Sequence, residues 1–153
     1  YTLYDYIEMT ANMDDISHLA AMAYPPGELT GSPESRKDLW RAFFLLKEWY
    51  FLIHPNRETD PYPLLEMIKN RGYAYLFTSS AEARNFAEQK EILNAEGQAV
   101  ILEMEQGKSL GWLTDLLDQG IYGVVINAAG NSWEASISLL LDSYKKHTVK
   151  KPA

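Results

Sequence analysis

"GIYGVVINAAGNSWEASI", residues 120 to 137, reads as a turn, a buried strand, a short glycine-containing loop and the start of a helix. A strand, loop and helix in that order either cradle a phosphate or simply turn a corner. A phosphate loop needs small residues at the turn, free amides at a helix N-terminus, and a lysine or a fixed glycine spacing. Gly130 and a helix start are present, but there is no GxGxxG spacing, no GxxxxGKS or GxxxxGKT, and no Lys or Arg between Gly120 and Trp133. Asn131, with Glu134 three residues on, has the pattern of a capping pair, and Gly130 suits a tight backbone turn. Glu134 would also set a negative charge where a phosphate would sit. The stretch is therefore read as structural: a strand, a corner, and a last helix beginning at Trp133.

Upstream of it the pattern is regular. "YAYLF" at 73 to 77 is a strand, and "TSSAEARNFAEQ" opens a helix with Ser79 three residues before Glu82, a capping box in which each side chain satisfies the other residue's free amide. "QAVILEM" is a second strand. "SLGWLTDLLDQG" is a helix whose Leu110, Leu113, Leu116 and Leu117 form one apolar stripe, ended by Gly120. "YGVVIN" is the third strand. The last helix carries Trp133, Ile137, Leu140, Leu141 and Tyr144 at intervals of three and four, then runs into "KKHTVKKPA", a basic tail. Strands alternating with helices through short connections imply right-handed crossovers and a partly parallel sheet.

Residues 1 to 70 have a different character. Leu3, Ile7, Ile16, Leu19 and Ala20 recur at helical intervals, with a possible break at residues 12 to 15, and "PPGELTGSP" stops the helix. Ser32 followed by Pro33 starts a second, running to about Leu46. In "LWRAFFLLKEWYFLI", Trp40, Phe43 and Phe44 fit that helix, whereas Trp49 to Ile53 fit a strand. "HPNRETDPYP" is a loop; Asp60 and Pro61 then open a short helix carrying Leu64, Leu65 and Ile68, closed by "NRG" at 70 to 72. The expected organisation is a single α/β domain, with α+β as the alternative. It has a mixed, mostly parallel sheet of about four strands. Residues 1 to 46 form a helical extension, 47 to 147 the α/β core, and 148 to 153 a flexible tail.

A chain of 153 residues suits one domain with a proper core, and 46% hydrophobic with 23% charged residues is an ordinary globular composition. The absence of Cys removes disulfides, thiol nucleophiles and zinc-thiolate sites. No apolar run approaches the length needed to cross a bilayer, so a soluble domain is expected, with no membrane partner and a cytoplasmic setting by default. Beginning at Tyr1, the chain is expected to be a trimmed or excised piece. A net charge of −7 argues against a nucleic-acid partner, which needs clustered Lys and Arg, and fits a basic partner better, though acidity also serves solubility alone.

Catalytic constellations are thin. His18 falls in a helix, His54 in a loop and His147 in the tail. The loop from His54 to Asp60 could bind a metal through His54, Glu58 and Asp60, but that spacing matches no established site, and a solvated polar loop explains it as well. No catalytic, cofactor or metal residue is assigned. Four Trp and ten Tyr beside an acidic balance instead point to recognition, since aromatic side chains give large contact area at small entropic cost.

"YLFTSSAEARNFAEQ", then "AVILEM", "LGWLTDLLDQGIYGVVIN" and the final helix resemble the SseB N-terminal-domain family over roughly residues 47 to 145. The features that carry the resemblance are Phe77, Thr78 and Ser79; Ala83 and Phe86; Leu113 and Leu117; Gly120, Gly123, Ile126 and Asn127; "EWYFLI" matches the family's first strand. The resemblance implies a small α/β domain with no assigned enzymatic mechanism, and residues 1 to 46 lie outside it. The expected function is a non-catalytic protein-binding or adaptor domain of bacterial type, as a monomer or homodimer. Contacts are expected beyond the strand ends at Thr78, Ser79, Asn127, Asn131 and Trp133. The alternatives are an immunity protein or antitoxin neutralising a basic toxin, and an enzyme using the His54 loop.

Overall fold

A computed structural model describes residues 13 to 25 and 31 to 148. The expectations placed on Leu3, Ile7, residues 26 to 30 and the tail from Val149 onward lie outside the described residues. The order of elements is α1 (Met13–Ala23), α2 (Pro33–Leu45), β1 (Glu48–Leu52), β2 (Leu65–Ile68), β3 (Arg71–Phe77), α3 (Ser80–Gln89), β4 (Ile101–Glu105), α4 (Gln106–Asp118), β5 (Gly123–Ile126), β6 (Trp133–Ser136) and α5 (Ile137–Thr148). The class is α/β with a mixed sheet.

Local signals set the helix ends. The Ser32 hydroxyl accepts the Ser35 amide at 3.1 Å, with Pro33 preset for the first turn of α2. Ser79 does the same for α3 through the Glu82 amide at 3.2 Å. At the end of α4, Gly120 takes φ +95, and the amides of Gly120 and Ile121 reach back to the carbonyls of Leu117 and Leu116, a Schellman closure. His147 lies within α5 rather than in a tail, its ring stacked on Phe44 at 6.4 Å between centroids.

The sheet differs from expectation in count and direction. Its order is β4-β1-β3-β5-β6, with β2 taking over the β1 edge of β3 where β1 leaves it, six strands among the described residues. Only the β3 and β5 pair is parallel among the described strands; the other pairs are antiparallel. The two additional strands, β2 and β6, lie where helix is expected from the sequence. Leu65 and Ile68, expected in a short helix, belong to β2, which turns back into β3 through Lys69 and Asn70, both at positive φ (50 and 66) as a two-residue hairpin turn demands. The last helix does not begin at Trp133: Trp133 to Ser136 pair with β5, and the helix starts at Ile137. In "WEAS" the Trp and Ala point inward and Glu134 outward, the period of two that belongs to a strand.

Pairing and alternation give the two faces of the sheet opposite chemistry. One face presents Trp49, Phe51, Ala74, Leu76, Val124, Ile126, Trp133 and Ala135, all buried beneath α1, α2, α4 and α5. Phe43 of α2 stacks on Trp49 at 4.4 Å, so the N-terminal helices share this core. Each of the larger side chains, such as Phe51, Leu76, Val124 and Ile126, contributes about 1.5–3 kcal/mol on burial. The other face has a smaller core in which Ala83, Phe86 and Ala87 of α3 pack on Leu52 and Phe77. No described helix is long and apolar enough to cross a membrane.

Candidate functional site

The second face is only partly covered. α3 packs against β1, β3 and β4, and beyond it, over β2, β5 and β6, a groove of about 560 Å³ opens. Tyr75 of β3 and Val125 of β5 are register partners and form its floor. Phe86 and Ile92 wall it on the α3 side, Glu66 of β2 and Glu134 of β6 on the others. A concave, part-apolar surface with a few convergent charges is the usual form of a binding site.

Electrostatics distinguish this face further. Following the register from strand to strand, the residues on the α3 side include five glutamates, Glu48, Glu66, Glu103, Glu105 and Glu134, against one cation, Arg71, among the described strands. Glu48 stands directly opposite Glu105, a like-charge pair that disfavours the sheet by itself. The Arg71 guanidinium is engaged elsewhere, 4.2 Å from the centre of the Tyr122 ring. Lys90, at the end of α3, is the cation that lines the groove. Burial, then the charge of Glu66 and a hydrogen bond to it, hold the Tyr75 hydroxyl above the usual tyrosine range, so Tyr75 stays neutral.

The five residues expected to make contacts divide. Thr78 and Asn127 come together at the C-terminal ends of the parallel pair: the Thr78 amide donates to Asn127 Oδ1 at 2.9 Å, and Asn127 Nδ2 donates to Thr78 Oγ1 at 3.0 Å. Both are buried, Asn127 at 2% exposure, so they lock two strands rather than face a partner. Ser79 caps α3. Asn131 is no cap for a following helix; its amide donates to the Ser17 carbonyl and hydroxyl and ties the β5–β6 connection to α1. Trp133 is 4% exposed with its ring edge-on to Phe43 at 5.9 Å, so it belongs to the core. The left-handed residue of this corner is Asn127 at φ +55, not Gly130; Gly130 instead leaves space for Glu82, whose Oε1 would lie 3.3 Å from an added Cβ.

In the histidine loop, each expected ligand has its own partner. His54 Nδ1 accepts the Asn56 amide at 3.2 Å, Glu58 accepts Asn94 at 2.7 Å, and Asp60 pairs with Arg57 at 2.6 Å. Among the described residues no group of three His, Asp or Glu could hold a metal ion. Glu66 and Glu134 sit in strands of four residues where the sequence reading expects helix; the alternation in "WEAS" is an available signal for β6, whereas "LEMI" carries no period of two. A scan of protein-family models found no match to this chain, and searches of curated proteins and of solved structures found none either.

Proposed function

We propose that this chain is a non-catalytic protein-binding domain of bacterial type on the SseB N-terminal-domain plan, binding a polypeptide in the groove beside α3. The observation that carries the reading is the unequal covering of the sheet. Four helices bury the apolar face, whereas α3 covers one half of the other and leaves Tyr75 and Val125 as the floor of an open groove. An antiparallel sheet can leave a face to water, but that face is then polar rather than aromatic and grooved. A cytoplasmic setting, a monomeric or homodimeric state and a basic protein partner belong to the same proposal. Nucleic acid has no place in it, because five glutamates on this face repel a phosphate backbone.

The test is site-specific photocrosslinking in the source cell. A benzoylphenylalanine at Ile68, which lines the groove, should yield discrete polypeptide adducts; the same probe at Leu139, exposed on α5, should not. Adducts of equal yield from both positions, or from neither, would reject the groove as a protein site. The glutamate-rich face also supports a second reading, an immunity protein occluding a basic toxin, since charge complementarity speeds capture of such a target. That reading requires a toxin gene beside this one, and a solitary locus counts against it.

A further inference from the structure

Resting on the protein-binding reading, we infer that the groove takes a partner segment through a lysine or arginine side chain, held between Glu66 and Glu134 over the Tyr75 ring. The walls carry two carboxylates to one ammonium, Lys90, and the sheet face around them carries five glutamates to one arginine. Neither Glu66 nor Glu134 makes an ion pair with a described residue, since the described pairs are Arg41 with Asp38 and Arg57 with Asp60. The cations clustered around His147, namely Lys37, Arg41 and Lys146, belong to α2 and α5 on the far side of the sheet. The molecule is polarised, acidic on the grooved side.

Spacing selects the class of occupant. Glu66 and Glu134 stand on β2 and β6, three strand spacings or about 14 Å apart across the sheet. Among the described residues no group of three His, Asp or Glu could hold a metal ion, and the gap between the two strands is wide enough to seat a polypeptide segment. The floor has a matching requirement. Tyr75 and Val125 are apolar surface beneath charged walls, and a lysine or arginine brings an aliphatic stem for the floor and a charged head for the carboxylates. Over the Tyr75 face that head gains a cation–π contact as well.

The test uses four immobilised pools of nonapeptides, random except for a central Lys, Arg, Gln or Glu, challenged with the full chain at physiological salt. The Lys and Arg pools should retain the protein about tenfold better than the Gln and Glu pools. Glu66→Gln with Glu134→Gln should bring all four pools together, while Glu96→Gln with Asp118→Asn, the same charge change at exposed positions away from the groove, should leave the preference intact. Loss of preference in both double variants would assign it to net charge and overturn the subsite. Equal retention on all four pools by the wild type would overturn the cationic subsite while leaving peptide binding standing. Retention on none would remove the binding reading itself, and the subsite with it.

Discussion

Replacing Asn127 tests the lock between the parallel strands. Its side chain supplies the acceptor for the buried Thr78 amide, and its backbone sits at φ +55, which asparagine tolerates and alanine does not. Asn127→Ala strands the Thr78 amide, costing about 1–3 kcal/mol, and adds about 1–2 kcal/mol for the left-handed backbone. A total near 3 kcal/mol is expected. Asn127→Gly loses the same hydrogen bonds but relieves the backbone, so it should be about 1 kcal/mol milder. The backbone bond from the Asn127 amide to the Leu76 carbonyl survives in both. Urea unfolding followed by tryptophan fluorescence reads both variants, with an unchanged m-value showing that stability alone moved. In thermal unfolding the alanine variant should melt about 6–12 °C lower, at about 2–4 °C per kcal/mol for a chain of this length. The reasoning fails if glycine is as damaging as alanine, which would remove the backbone contribution. It also fails if both variants lie within about 0.5 kcal/mol of wild type, the range of inconsequential surface changes.

Two glycines should respond in opposite directions. A Cβ at Gly123 would stand 2.5 Å from the Ala135 carbonyl and 2.7 Å from the Tyr73 ring, so Gly123→Ala should destabilise by about 1–3 kcal/mol or prevent folding, whereas Gly111→Ala, within α4 and with nothing inside 4 Å, should raise the melting temperature by about 2–4 °C. Melting curves of the pair decide it, and a stable Gly123→Ala would show that β5 and β6 do not approach so closely. Burial, then Arg41, Lys37 and Lys146, push the His147 imidazole below the usual histidine range. The unfolded chain therefore binds a proton first as pH falls, so the contribution of neutral His147 is full above about pH 6.5 and is lost through the folded value below it. His147→Gln should lose less stability than wild type between pH 7.5 and pH 5; an equal or larger loss in urea midpoints would contradict the burial of the ring.

Three helix ends are legible in the sequence because their determinants are local, whereas the start of the last helix, at Ile137 rather than Trp133, is not. Ser32 with Pro33, Ser79 with Glu82, and Gly120 satisfy or terminate their own backbone within a few residues, and each did so where expected. The long apolar runs at Trp49 to Leu52 and Tyr73 to Phe77 likewise announced central strands. The site was less legible. Thr78 and Asn127 follow the last residues of β3 and β5, but nothing local to either says that the two bond to each other across 49 residues.

Length, composition and local caps by themselves determined an α/β domain with an apolar, aromatic core and no thiol chemistry. Tertiary structure alone decided that β2 and β6 are strands, that one strand pair is parallel, and that Glu66 and Glu134 share a groove. The physical reason is range. A capped helix closes its hydrogen bonds within four residues, but a four-residue strand acquires its bonds, its face and its neighbours only from a partner distant in sequence. The five glutamates, scattered over 87 positions from Glu48 to Glu134, become one acidic surface only when that pairing sets their register.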